Sequence, residues 1–185
     1  MATIGNTDAS GTGNSTIANY VNAIHTIVPP SSGVLNSITA HLNFYWAARS
    51  VLDIKAKAAL YSRSGTTFTL MAATTERVFD NFTYAGAGYQ WYTFTFASPP
   101  TVIGSTEYAL AVWANDPTPV ANYDVLLKYA ATSAFGITIV SATYNGFPTP
   151  YTQTPAGLDP SIYGTYTPSA AGPPKGSLAL LGVGT

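Results

Sequence analysis

Charged side chains are scarce in this sequence of 185 residues. Lys and Arg together number 7, Asp and Glu number 8, and charged residues make up 8% of the chain, against a usual share of about 25%. The net charge of −1 offers no basic surface to attract phosphates, so we expect no nucleic-acid partner. A net charge near zero also gives copies of the chain little mutual repulsion, which favours self-association.

Cysteine and long apolar runs are also missing. With no cysteine, the chain can form neither a disulfide framework nor a thiolate metal site. No stretch approaches the ~20 apolar residues that cross a bilayer as a helix, so we expect no membrane span. Residues 1–15 combine Gly, Asn, Thr and Ser without the basic segment and apolar run of a secretory signal. The length fits a single domain.

Groups suited to catalysis or metal binding are few and scattered. The two histidines, His25 and His41, lie in strand-like segments, and the eight carboxylates occur singly in turns and at strand edges. The sequence has no nucleophile elbow, zinc-binding His pair or phosphate-binding glycine loop. Asp116 and Asp124 could offer oxygen ligands to Ca²⁺, although bonding of each Asp to its own backbone is the simpler interpretation. We therefore expect no enzyme, no cofactor and no metal site.

Apolar and polar residues alternate with a period of two along much of the chain, which is the pattern of strands rather than helices. In residues 34–45, alternate positions from Ile38 to Phe44 are apolar and the positions between them are polar or aromatic. Lys55 and Lys57 alternate with apolar residues in residues 54–61, which predicts a strand with one solvated face. Turn residues separate about ten such segments, the spacing expected of two packed antiparallel sheets.

Several motifs occur in a characteristic order. They are Leu60-Tyr61-Ser62, Trp91-Tyr92-Thr93-Phe94, Glu-Tyr-Ala-Leu-Ala-Val at residues 107–112, Phe147-Pro148, and a closing Ser-Ile-Tyr-Gly-Thr-Tyr-Thr at residues 161–167. In this order they resemble a widespread jelly-roll module whose members end in a Ser-Ile-Tyr-x-Thr-Tyr-Thr strand. Such modules occur in viral and phage structural proteins and in secreted or cell-surface proteins. The resemblance implies a fold, but the family has no common catalytic residues to transfer.

These observations together predict an all-β fold, an antiparallel two-sheet jelly-roll sandwich with extended N- and C-terminal arms. The predicted divisions are a polar N-terminal arm over residues 1–15 and a β-sandwich over residues 16–167. A Pro-rich linker and an apolar C-terminal arm follow over residues 168–185.

Aromatic residues could serve either the core or a sugar-binding surface. Tyr92, Phe94 and Phe96 share one face of a predicted strand, and we expect them to fill the core because aromatic side chains dominate core burial. Trp91 has the opposite parity, with Thr93 and Thr95, and Trp46 lies at the end of a predicted strand. If Trp46 and Trp91 are exposed, their rings could stack on sugars.

The C-terminal arm contains four apolar side chains, Leu178, Leu180, Leu181 and Val183, in a peptide too short to fold alone. Full burial of each would contribute about 1.5–3 kcal/mol, so we expect the peptide to dock. It could fold back on its own sandwich, or it could add a strand to the sheet edge of a neighbouring subunit. Sequence patterns leave both arrangements open.

We therefore expect a non-enzymatic structural subunit of a virion surface, either a decoration or a capsid-associated protein. An extracellular or cell-surface assembly is the alternative location. The expected partners are copies of the chain itself, another structural subunit, or both. The alternative function is a carbohydrate-binding or adhesion module that recognises a glycan through Trp46 or Trp91.

Overall fold

The computed structural model describes residues 1–44, 54–79, 88–115, 125–130, 135–154 and 156–170. These residues form fifteen strands in two antiparallel sheets and contain no helix. The predicted all-β, antiparallel two-sheet sandwich is confirmed. Within the same residues there is accordingly no helix that could cross a membrane.

Sheet A has eight strands, and β4 is its central member. On one edge β4 pairs with β15 and β11, and on the other it pairs with β8 and β9. The remaining members extend the sheet, β1 beside β15 and both β2 and β14 beside β11. The strands of sheet A are β1 (Ala2–Gly5), β2 (Gly13–Thr16), β4 (Gly33–Phe44), β8 (Gln90–Thr95), β9 (Thr101–Val102), β11 (Val125–Ala130), β14 (Asp159–Pro160) and β15 (Ile162–Pro168).

Sheet B has seven strands in the order β12-β3-β10-β5-β6-β13, with β7 also paired to β5. Apart from β6, which pairs with β5 in the same sheet, the longer strands alternate between the sheets along the chain: β3, β5, β10 and β12 belong to sheet B, and β4, β8, β11 and β15 belong to sheet A. The strands of sheet B are β3 (Tyr20–Ile27), β5 (Ile54–Ser64), β6 (Thr67–Ala73), β7 (Arg77–Phe79), β10 (Tyr108–Ala114), β12 (Ile137–Ser141) and β13 (Tyr151–Thr152).

The main core lies between the sheets and follows the predicted alternation. In β4 the inward residues from Ile38 to Phe44 are buried, and in β8 Tyr92 and Phe94 are buried. Phe44 and Phe79 meet with ring centroids 4.3 Å apart, and Tyr92 packs edge-on against both. Period-two patterning works here because successive side chains on a pleated strand point to opposite faces.

A second apolar cluster covers the outer face of sheet B. Phe147 and Tyr151, from the segment that follows β12, pack over Tyr61, Phe68 and residues of β10. Every residue of β10 is therefore buried. The prediction of a solvated face on β5 is wrong beyond Lys57, because Ala59 and Tyr61 are fully buried beneath this segment.

The N-terminal segment extends the sandwich instead of remaining a separate arm. Strand β1 pairs with β15, and β2, which begins at Gly13, pairs with β11. Ile4 is buried in the main core, and this apolar contact together with the added ladder hydrogen bonds fixes the segment. The sandwich therefore begins at Ala2, and the predicted boundary near residue 16 has to be moved to that point.

Candidate functional site

The outer face of sheet A carries rows of hydroxyl groups beside aromatic rings. We call this surface the sheet A face; it comprises Ser37, Thr39, His41, Trp91, Thr93, Thr95, Tyr163 and Thr165. Strand register brings these residues together, because Thr39 lies opposite both Thr93 and Tyr163, and His41 lies opposite Trp91. In sequence these positions are far apart, so pairing of β4 with β8 and β15 creates the surface.

Trp91 has the outward parity predicted from the sequence and is half-buried. Its indole stacks on the imidazole of His41, with centroids 4.6 Å apart and planes inclined by 19°. Tyr163 meets it on β15 at 5.2 Å and 64°. Two neighbours on two strands thus hold the indole in one orientation.

His41 is buried between aromatic rings, and its ring centroid lies 5.5 Å from that of Tyr89. Burial lowers the pKa of His41, and the nearby Lys128 ammonium lowers it further. A hydrogen bond with the Tyr89 backbone has the opposite effect but is outweighed. The imidazole is therefore neutral near pH 7. Its Nδ1 atom has no hydrogen-bond partner among the residues that the structure describes.

Hydroxyl groups continue the sheet A face away from the rings. The Thr39 and Thr93 hydroxyl oxygens are 3.0 Å apart and share a hydrogen bond. Thr93 and Thr95 are exposed, and Ser37 and Thr165 are half-buried. This neutral surface can exchange hydrogen bonds with a ligand while the adjacent rings offer apolar contact.

The opposite face of the sandwich is closed. Lys57 donates a hydrogen bond to the carbonyl oxygen of Asn145, and its Nζ lies 4.6 to 5.6 Å from the ring centroids of Trp113, Tyr144 and Phe147. Tyr144 in turn donates a 3.1 Å hydrogen bond to Glu76 Oε2. Burial lowers the pKa of Lys57, and Glu76 opposes that change. Trp113 is fully buried, so it offers no surface for stacking.

A buried polar cluster surrounds His25 on sheet B. Arg63 Nη1 lies 3.4 Å from His25 Nδ1 and also forms an ion pair with Glu107. Desolvation and the Arg63 charge lower the pKa of His25 to about 4, against opposing effects of Glu107 and Asp159. The sequence predicted that His25 lies in a strand, and the structure places it on β3 with its side chain buried. No group of three or more metal-ligating side chains occurs within the described ranges.

The described chain ends beside exposed aliphatic side chains. Pro168 pairs with Gly33, and the Ser169 N–H donates a 2.8 Å hydrogen bond to the Ser32 carbonyl. The Ser32 hydroxyl accepts one from the Gly104 N–H at 3.0 Å. The flanking residues Val34 and Ile103 are 38% and 60% exposed. We call Val34, Ile103 and the nearby Val28 the exit patch.

Several predicted residues lie outside the described ranges. They are Trp46, Asp116, Asp124, Leu178, Leu180, Leu181 and Val183. Of the two tryptophans predicted to stack on sugars, Trp91 is therefore the one whose surroundings the structure describes.

Two sequence comparisons with known proteins were negative. The sequence matches no protein-family model, and a search of curated proteins finds no match. Function has to be argued from the residues themselves.

Proposed function

We propose that this protein is a non-enzymatic structural subunit of a surface assembly. We rank a virion surface, as a decoration or capsid-associated protein, ahead of an extracellular or cell-surface assembly. That ranking rests on the resemblance to jelly-roll modules of viral and phage structural proteins. The C-terminal peptide of one subunit binds another copy or a companion subunit.

The exit patch is the observation that carries this proposal. Val28 and Val34 are 49% and 38% exposed, and Ile103 is 60% exposed. Hydrogen bonds tie the backbone near all three together: the Ser105 N–H donates to the Pro29 carbonyl, and the Gly104 N–H donates to the Ser32 hydroxyl. Complete burial of one such side chain contributes about 1.5–3 kcal/mol to the free energy of association. Because each of the three is already partly buried, covering all of them would contribute about 3 kcal/mol in total.

Linker length and composition agree with docking on a neighbour. Eight positions separate Ala170 from Leu178, a reach of up to about 27 Å when extended. Pro173 and Pro174 favour extended geometry over a tight reversal. We infer from this composition that the apolar peptide of one subunit reaches the exit patch of another.

A sheet edge with no partner strand among the described residues offers a second means of association. Strand β1 is the terminal strand of sheet A and pairs with β15 on one side. Edge strands present main-chain N–H and C=O groups that can pair with another chain. Near-zero net charge reduces the electrostatic cost of bringing copies together.

The proposal is tested by the mass of the particle in solution. Light scattering after size-exclusion chromatography should give an oligomer for the full chain and a folded monomer for a chain ending at Ala170. The matched control keeps the full length and replaces Leu178, Leu180, Leu181 and Val183 with Ser, and it should also be monomeric. A truncated chain that assembles normally would contradict the proposal.

Because the chain has no cysteine, a pair of introduced cysteines can show whether the C-terminal peptide binds its own subunit or another one. Ile103→Cys and Leu180→Cys should form a disulfide between chains, visible as a dimer on a non-reducing gel. A disulfide within one chain would show that the peptide docks on its own sandwich and would contradict assembly through this arm.

A further inference from the structure

We propose that the sheet A face is a binding site for a neutral saccharide, with Trp91 as the stacking residue. This site is separate from the exit patch and does not depend on the proposed assembly. The ligand class follows from three properties of the surface: a held indole, a row of hydroxyl groups, and the absence of charge in that row.

The indole supplies the apolar contact. One side of a pyranose ring is lined by C–H groups, and an aromatic face is the surface against which such a side packs. Trp91 is fixed between His41 and Tyr163, so binding requires little loss of side-chain freedom. The 64° inclination of Tyr163 makes a corner that receives one sugar ring, rather than a flat strip for a crystalline surface.

The hydroxyl groups of the sheet A face would fix the orientation of the bound sugar through hydrogen bonds. Thr93 is exposed, and its hydroxyl shares one hydrogen bond with Thr39, which leaves it further capacity to donate or accept. Thr95, Ser37 and Thr165 form a second row across the same three strands, at strand spacings of about 4.8 Å. Sugar hydroxyls donate and accept in the same way, so each such group can meet a complementary partner.

Charge selects a neutral sugar. Ser and Thr side chains carry none, and burial keeps the imidazole of His41 neutral near pH 7. Lys128 lies to the side, with its Nζ 4.7 Å from the ring centroid of Tyr89. The ammonium thus contacts a ring at the margin of the site. Arg77 Nη1 donates a 3.2 Å hydrogen bond to the main-chain carbonyl of Thr93, so its charge is engaged by the backbone, and the side chains of the hydroxyl row themselves carry no charge.

Isothermal titration with three hexasaccharides tests the site: β-1,4-linked glucose, β-1,4-linked N-acetylglucosamine and α-1,4-linked glucose. At least one should bind at about 1 mM or below, in the range of a single small interface. Trp91→Ala should weaken that binding at least about tenfold, and Thr93→Val about threefold. Trp91→Phe, which keeps a ring, should fall between the original chain and Trp91→Ala.

Tyr20→Ala is the matched control, because it removes an exposed aromatic ring on β3 of sheet B, outside the sheet A face, and should leave the affinity unchanged. Thermal unfolding of each variant establishes that the sandwich is intact. Failure of all three hexasaccharides to bind would overturn the proposal. Binding that survives Trp91→Ala in a folded chain would overturn it equally.

Discussion

The buried imidazole of His25 should make the stability of the fold depend on pH in a defined window. His25 is 4% exposed, and desolvation, helped by the Arg63 guanidinium, lowers its pKa from 6.5 to about 4 in the folded chain. Between these values the unfolded chain binds a proton that the folded chain does not. Since stability rises with pH wherever the unfolded state binds more protons, the free energy of unfolding should fall as the pH drops from 6.5 towards 4.

The size of the effect follows from the two pKa values. At about 1.4 kcal/mol for each pKa unit, the full loss below pH 4 is about 3 kcal/mol. Between about pH 7.5 and about pH 4.5 the loss attributable to His25 is about 2.5 kcal/mol. A domain with a typical stability of about 5–15 kcal/mol would lose a substantial part of it.

Urea unfolding followed by tryptophan fluorescence, measured across this pH range, checks the prediction. His25→Gln removes the ionisation but keeps an acceptor for Arg63 Nη1, so its stability should vary less with pH, and the stability difference between the two chains should change by about 2.5 kcal/mol in favour of the variant as the pH falls from about 7.5 to about 4.5. Ionisable groups that the two chains share contribute to both curves, and their contributions largely cancel in the difference. Parallel curves for the two chains would refute the assignment, as would an NMR titration giving His25 an ordinary pKa in the folded protein.

Two further predictions concern packing and use the same unfolding assay. A Cβ added at Gly136 would lie 2.2 Å from atoms of the buried His25 imidazole, so Gly136→Ala should lower the free energy of unfolding by about 1–3 kcal/mol. Gly146→Ala is the control: the new atom would have open space around it, so the free energy of unfolding should change by less than about 0.5 kcal/mol. Phe147→Ala should lower the free energy of unfolding by about 3–5 kcal/mol and expose apolar surface to the dye ANS, because Phe147 covers the cluster on sheet B. Phe147→Leu should lose less stability. If the Ala variant were as stable as the original chain, the cluster would contribute little.

The alternation of apolar residues could predict the main core because it is a local property. Ile38 and Tyr92 each lie on a strand whose two faces differ in polarity, and the pleat alone assigns the apolar face to the interior. The same reasoning gave Trp91 its outward parity. It could not identify His41 and Tyr163 as the neighbours of Trp91, because register between strands distant in sequence depends on the whole fold.

The second cluster escaped prediction for a different reason. Tyr61 and Trp113 share strand faces with Lys57 and Ala residues, a mixture that suits a solvated face as well as a covered one. Coverage comes from Phe147 and Tyr151, more than thirty residues further along the chain, in a segment whose prolines predict a connection. The N-terminal strands were missed because Ile4 is the single large apolar residue after Met1 in residues 1–15, which leaves the period-two pattern too weak to detect.

The geometry of β15 separates the stacking residues of the sheet A face from the exit patch and makes the two proposals independently testable. Tyr163 lies at the saccharide end of this strand and Thr167 at the exit end, a separation of about 13 Å at about 3.3 Å per residue. A subunit held through its exit end would therefore keep Trp91 clear of that contact. Truncation at Ala170 should change the oligomeric state without changing saccharide affinity. Trp91→Ala should weaken saccharide binding without changing the oligomeric state. If either change altered both properties, the two surfaces would have to be parts of one interface.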